Sequence, residues 1–374
     1  MLTHRERVLT ALNHQAPDRV PVDIGGTGAS QVNIEAYRAL KRYLGLGDSG
    51  TLEFFSRRSQ LALAEEEVLQ KLDVDCRVLR PSGPDHSIER ELPDGSYVDA
   101  WGVIWTKPER GHYYVKQPIF TGELTAAALA RYDWPDPHDP GYTRGLGEAA
   151  RALHEGTDYA VVLSLPVGFG HQSQFLRGYE NWLMDLVDNL SGAESLADAV
   201  LDVYIPLVCN MVRACAQHID VVFYADDVAF QNGPIMRPET FRRLFKPRFK
   251  RVFDAIRAET RAKILFHSCG SVVSLIPDLL DTGIDCLNPV QVSAAGMDTA
   301  ALKREYGHVL SFWGAIDTHR ALPFGSPEDV RREVQRRIDD LADGGGYVVA
   351  SVHNIQAEVP PENIVAMVEA ARGM

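Results

Sequence analysis

Eight short apolar runs recur along the chain, and between them the apolar positions fall three or four residues apart. The runs are 20–24, 75–79, 160–164, 221–224, 263–266, 286–288, 310–313 and 347–350. From the second onward they are nearly continuous rather than alternating, as strands buried on both faces of a parallel sheet are. The intervening stretches 34–44, 59–72, 143–155, 179–189, 193–215, 238–260, 272–282, 299–306, 327–344 and 361–371 carry helical periodicity. Strand and helix alternating to a count of eight predicts a (β/α)8 TIM barrel formed by one domain over 1–374. A doubly wound open sheet is the competing topology.

Two stretches depart from this rhythm. Thr3-His4-Arg5-Glu6 is a capping box, so an extra N-terminal helix with Val8, Leu9 and Leu12 on one face precedes the barrel. Residues 88–120, starting at Ile88, read as β-hairpins: Leu92-Pro93-Asp94-Gly95-Ser96 is a turn, and the residues from Tyr97 to Trp105 alternate. This is an insertion placed to serve as a lid. The cluster Gly25-Gly26-Thr27-Gly28 lacks dinucleotide-binding spacing. It is open to two readings, a tight turn or close backbone approach to a ligand.

Composition narrows the function. The 374 residues are 45% hydrophobic, with 38 basic against 51 acidic side chains and a formal charge of -13. That balance argues against nucleic-acid and membrane-surface binding, which call for a basic field. Five irregularly spaced cysteines do not form a disulfide framework. The first residues lack a signal-peptide core, and no uninterrupted apolar run reaches spanning length. A soluble cytoplasmic protein is expected. Barrel walls commonly pair with another subunit, which leaves a homo-oligomer open.

Barrel chemistry sits where strands end. Those places hold Asp23, Asp226-Asp227, His267 and Cys269, Asn288 and Gln291, Asp317 and His319, and His353-Asn354-Ile355-Gln356. His267 and Cys269 are two apart, so both side chains leave an extended chain on one face. With His353 from a nearby strand they give three ligands and an open position, the pattern of a catalytic zinc. The alternative is that His353 bonds substrate and Cys269 only packs. Asp226 and Asp227 are candidates for acid or base, or for capping a helix. Gln231, Asn288, Gln291, Asp317 and Gln356 are candidates to orient substrate, with His171 and Gln172 weaker ones. Cys76, Cys209, Cys215 and Cys286 read as core.

Three segments carry a resemblance. The opening from Thr3 to His14 with Pro17-Asp18-Arg19-Val20-Pro21 is the first. Phe266-His267-Ser268-Cys269-Gly270-Ser271 is the second, and His353-Asn354-Ile355-Gln356 followed by Val359-Pro360-Pro361-Glu362-Asn363 is the third. Together they resemble the uroporphyrinogen decarboxylase superfamily along essentially the whole chain. The resemblance implies a (β/α)8 barrel and two kinds of activity: decarboxylation of a tetrapyrrole, or zinc-dependent methyl transfer with corrinoid proteins. True decarboxylases bear an arginine motif, Arg-Gln-Ala-Gly-Arg-Tyr, to grip many carboxylates. After Asp23 this chain has Ile-Gly-Gly-Thr-Gly-Ala-Ser instead. The methyltransferases carry His-x-Cys and a later Cys, where this chain has His267, Cys269 and His353.

The expected function is therefore zinc-dependent transfer of a methyl group between a corrinoid and a small substrate, a thiol or a donor such as a methyl ether. No cobalamin-binding domain, with its Asp-x-His-x-x-Gly motif, is read in the chain, so the corrinoid is expected on a partner protein. Two readings compete. One is a metal-free decarboxylase of a tetrapyrrole or smaller aromatic carboxylate, with Arg57 and Arg58 nearest the mouth. The other is a non-catalytic module that docks a corrinoid protein.

Overall fold

The computed structural model describes residues 1–47, 51–86, 89–109 and 111–374. Seven parallel strands follow one another around a curled sheet: β1 (Cys76–Leu79), β2 (Ala160–Ser164), β3 (Val221–Ala225), β4 (Lys263–His267), β5 (Cys286–Asn288), β6 (Ser311–Ile316) and β7 (Tyr347–Ser351). Each pairs with its neighbour in sequence. The eighth station is the segment around Val22. Asp23 N donates to Val349 O of β7 (2.8 Å), and Asp75 N, just before β1, donates to Val22 O (2.9 Å). This one segment joins the two edges and closes the sheet into a (β/α)8 barrel, which removes both unpaired edges. Register sets His267 level with Ala225 and with Asn288, so β3, β4 and β5 end on one rim.

Inward-facing Val162, Val221, Phe223, Leu265, Cys286, Trp313 and Val348 fill the barrel. Val8 and Leu12 of α1 (His4–Leu12) belong to the same cluster and plug its lower end. The motif that opens the chain works through Asp75, which is 0% exposed. Its carboxylate accepts from His4 Nδ1 (2.8 Å), Arg7 Nη1 (2.8 Å), Arg19 Nη1 (2.7 Å) and Val22 N (2.8 Å). One buried acid thus ties α1, the closing segment and β1 together.

Helix α2 (Ile34–Tyr43) follows expectation, but 59–72 does not. Only Glu66–Leu72 is helical, and Leu61–Ala62 pairs with Phe54–Ser56. Ala62 N donates to Val32 O (2.9 Å), so tertiary pairing takes the first half of the periodic stretch. A helix that the pattern did not announce, α3 (Phe169–Arg177), follows β2. Its first N–H groups are capped from afar: Gly170 N and His171 N both donate to Asp226 (2.8 and 2.6 Å), the residue after β3.

Helix α4 (Leu190–Cys215) is long and apolar enough to cross a membrane by length and composition alone. Here Leu196, Val200, Tyr204, Leu207 and Met211 are buried against the protein. Its acids face α5 (Lys246–Glu259), where Arg248 pairs with Asp198 (2.6 Å). The stretch 238–260 is interrupted by a wide turn at Phe241–Phe245 before α5 begins.

The insertion is a four-stranded antiparallel sheet of Arg90–Glu91, Tyr97–Val98, Ile104–Thr106 and Tyr114–Gln117. Its expected first residue, Ile88, lies outside the described residues. It sits against the segment after α2: the Arg57 guanidinium stacks on Tyr97 (4.7 Å), and Tyr113 N donates to Arg58 O (3.1 Å). His112 Nε2 reaches Gln356 Oε1 (3.1 Å) beyond β7, so the insertion leans over the rim.

Candidate metal centre

His267 is the last residue of β4 and 4% exposed. Its Nδ1 meets Asn288 Oδ1 at 2.5 Å, and Asn288 Nδ2 donates to Trp313 O (3.1 Å). The second bond fixes which end of the amide faces the ring. The imidazole therefore carries its proton on Nδ1 and presents a bare Nε2, the arrangement a metal-binding histidine requires. That Nε2 lies 3.6 Å from Cys269 Sγ. His353, two residues beyond β7, brings its ring within 5.4 Å of the His267 ring. One ligand atom from each of His267, Cys269 and His353 lies within 4.8 Å of the others.

The turn that carries Cys269 is held on every side. Cys269 N donates to Asp227 Oδ1 (2.7 Å), Gly270 N to Gln291 Oε1 (2.6 Å), and Val228 N to Ser268 Oγ (3.0 Å). Gly270 has φ +93°, and a Cβ there would stand 2.6 Å from Ala229 O. Only glycine fits, and it turns the chain away so that the thiol stays on the rim.

Electrostatics prepare these groups. Burial pushes the imidazoles of His267 and His353 down, His353 to about 4. Both are neutral at neutral pH, as ligands must be. Burial pushes the Cys269 thiol up, and the Asp227 carboxylate adds to the effect. This thiol needs a cation to ionise. Beside it stands an ion pair. Asp227 Oδ1 lies 3.9 Å from His267 Nε2, and Asp227 Oδ2 lies 3.6 Å from His171 Nε2. Burial opposes charge on both partners, but their contact outweighs it, holding Asp227 well below the carboxylate range and lifting His171 well above the usual imidazole value. His171 Nδ1 also lies 3.2 Å from Asp226 Oδ1, off the line of a hydrogen bond, so this is a charge contact. In the metal-free protein, NMR of the ring nitrogens is expected to show His171 protonated and His353 neutral at neutral pH. A neutral His171 there would break the assigned pair.

His267, Cys269, His353, Asp227 and His171 come together at the floor of a cavity of about 400 Å³, where all but Cys269 line it. Gly28, Phe55, Tyr142, Phe175 and Phe223 make up much of its wall. The glycine cluster serves both readings: Gly25, at φ +75°, makes the turn, and Gly28 reaches the cavity. The other sequence candidates lie elsewhere. Asp226 is 1% exposed and fully engaged by Tyr224 Oη (2.9 Å) and the α3 amides, which makes it a helix cap. Asn288 and Gln291 stand behind His267 and Gly270 and support the centre rather than facing the cavity. Gln231 is exposed, Asp317 caps the His319 amide (2.7 Å), and Gln356 meets the insertion through His112. None of these three lines the cavity.

One motif reading is corrected. Asp136-Pro137-His138-Asp139-Pro140-Gly141 does have Asp-x-His-x-x-Gly spacing. It forms a capped turn before a short 3-10 helix, with Asp139 accepting from Gly141 N (2.9 Å) and Asp85 N (2.8 Å). His138 is exposed on the connector and meets Asn210 (3.0 Å).

Comparison with known proteins places this geometry. The model of the family described as uroporphyrinogen decarboxylase (URO-D) matches residues 112–374. Methylcobamide:CoM methyltransferase MtaA of Methanosarcina barkeri is 26% identical over 227 residues, covering 60% of this chain and 61% of the relative. A methylated-thiol–coenzyme M methyltransferase of Methanosarcina mazei is 24% identical over 277 residues, covering 72% and 66%. The chain thus spans a little under two thirds of the length of these curated relatives. A solved methyltransferase from Methanosarcina mazei superposes over 100% of this chain and 99% of its own, with a TM-score of 0.66 at 20% identity. It shares the fold. The chain belongs to the uroporphyrinogen decarboxylase (URO-D) family, and within it resembles the methyltransferase branch.

Proposed function

We propose that this protein is a zinc-dependent methyltransferase that moves a methyl group between a small substrate and a corrinoid carried by a partner protein. The observation that carries the reading is the convergence of His267, Cys269 and His353 on one point beside Asp227. Two neutral imidazoles and one thiol are a borderline-soft donor set, which suits zinc. When bound, zinc supplies a Lewis acid that acidifies a thiol or polarises the atom losing a methyl group.

The chain's own groups do the remainder. Asp227 and His171 hold a proton at the cavity floor. A methyl ether, thioether or methylamine that gives up its methyl group leaves behind an atom that takes this proton. A thiol acceptor releases its own proton to solvent before attack, because the pair is already protonated. Phe55, Leu61 and Phe223 keep the space apolar and limit water. A cavity of about 400 Å³ suits a small substrate. A partner-borne corrinoid would approach from the rim. The net charge of -13 accords with no role on nucleic acid or membrane, and a cytoplasmic setting is part of the same reading.

Metal analysis of the purified protein, then a screen of methyl donors with added cob(I)alamin, tests it. Stoichiometric zinc and donor-dependent formation of methylcobalamin are expected. Chelator-insensitive release of CO2 from a tetrapyrrole or aromatic carboxylate would assign a carboxy-lyase instead.

Two further outcomes follow from the pKa directions. Because the Cys269 thiol is protonated and both imidazoles are neutral, binding zinc should release about one proton. Affinity should therefore rise about tenfold per pH unit across the neutral range, read by calorimetry in buffers of different ionisation enthalpy. Asp227→Asn should keep the metal and lower kcat by about 10²–10³-fold. Unchanged kcat would remove Asp227 from the proton path.

A further inference from the structure

A second chamber of about 570 Å³ adjoins the first, sharing Phe55, Arg58, Tyr142 and Pro166 as a common wall. Three arginines border it. Arg57 pairs with Glu91 (2.8 Å), and Arg80 pairs with Glu53 and the carbonyls of Phe54 and Phe55. Arg58 differs. Among the described residues its guanidinium has neither a hydrogen-bond acceptor nor an ion-pair partner. It packs into the corner of two rings that meet edge to face, 4.8 Å from the centroid of Trp105 of the insertion and 4.7 Å from that of Phe175 of α3, with the two centroids themselves 4.9 Å apart.

The rings meet the guanidinium from one side and offer its N–H groups no acceptor, so these stay free to bond a ligand. Such edges form a fork that fits an oxyanion. A second observation points the same way. Gln172, 5% exposed, borders this chamber with its Nε2 unpartnered. A buried donor without an acceptor is costly unless something completes it. The chamber's acids do not. Asp99 is engaged by Trp105 Nε1 (2.8 Å), Trp101 N (2.9 Å) and Val103 N (3.0 Å), and Glu89 lies beyond ion-pair distance of Arg58.

The stack continues toward the metal centre. Phe175 lies on His171, with ring centroids 5.8 Å apart at 30°, and His171 meets Asp227. We infer that Arg58, with Gln172, is the specificity-determining subsite for an oxyanion on the end of the substrate remote from its methyl-bearing or thiol end, and that Trp105 of the insertion positions it. The inference rests on the methyl-transfer reading for what happens at the near end. A carboxylate, a sulfonate and a phosphate each fit such a fork, and the titrations below separate the first two.

The test begins with chelated protein, so that it stands apart from the metal. Linear carboxylates from butyrate to octanoate, the matching sulfonates and the matching alcohols are titrated by calorimetry. The carboxylate of best length is expected to bind at least tenfold more tightly than its alcohol, since a charge-assisted pair is worth about that ratio or more. Arg58→Met, which keeps an apolar stem against the two rings, should bring the ratio to about one. Arg58→Lys should retain part of it, and Trp105→Ala should reduce it. On zinc-loaded protein the ω-mercaptocarboxylate of that length should then exceed the alkanethiol by a similar factor. Equal binding of carboxylate and alcohol by the unaltered protein, or a preference that survives Arg58→Met, overturns the inference. Loss of the thiol effect alone, with the carboxylate preference intact, counts against the metal reading and leaves the oxyanion subsite standing.

Discussion

His267→Ala is expected to empty the metal centre and abolish turnover, with metal content falling from about one ion per chain to near zero and activity falling by at least about 10³-fold. The expectation follows from how the ring is held. Asn288 accepts the Nδ1 proton and is itself anchored to Trp313 O, so Nε2 is committed to the point shared with Cys269 and His353. Losing one of three ligands leaves a thiol that burial keeps protonated and an imidazole with no companion. Asn288→Ala should act in the same direction but more weakly, by about 10–100-fold in metal affinity, because it frees the ring without removing it. Metal analysis, together with the cobalt(II) absorption spectrum, reads both. A His267→Ala protein with full metal and full activity would end the assignment.

Asp75→Ala should be the most damaging single change to stability, costing about 3–5 kcal/mol in urea unfolding. It takes from Arg7, 4% exposed, its buried carboxylate and leaves it only Asp18, takes the close partner of Arg19 and His4, and removes the acceptor of Val22 N at the barrel's closure. Burial alone would raise the Asp75 carboxyl, but hydrogen bonds from His4 and Arg19 outweigh it and hold it below the usual carboxylate range. The sign is therefore that of a depressed acid. Its contribution is present above the ordinary carboxylate pKa and fades as pH falls through the lower folded value. A loss below about 1 kcal/mol, the range of surface pairs, would show that the clasp is not what closes the barrel.

The barrel was legible because its strands are buried on both faces, which writes them as unbroken apolar runs. Thr299–Tyr306 and Pro361–Ala371 carried their own boundaries in Asp298 and Pro360. What could not be read depended on distant partners. Helix α3 has no local cap, because Asp226 supplies one from the end of β3. The stretch 59–65 has helical periodicity but is claimed by pairing with Phe54–Ser56 and with Val32. In the site, position at strand ends singled out His267, Cys269 and His353. It does not tell which polar residues face the cavity and which stand behind, so it puts Asn288 and Gln291 among the groups that meet substrate. His171 is faint in the sequence for the complementary reason: its importance comes from contact with Asp227, 56 positions along the chain. Arg58 gives no signal of its own beyond its charge, since the two rings it packs against come from Trp105 and Phe175.

The metal centre draws its three donors from the ends of β4 and β7, and the sheet from Arg90 to Gln117 contributes none of them. That sheet touches the rest through Arg57, Arg58, Lys107 and His112, at the roof and side of the cavity. On the proposed reading, the sheet bears on the choice of molecule only through Trp105, which packs on Arg58, while every donor to the ion stays in the barrel. If that reading holds, grafting a different hairpin onto 90–117 would shift which guests Arg58 holds without disturbing the ion's donors, so that one barrel is re-aimed without being rebuilt.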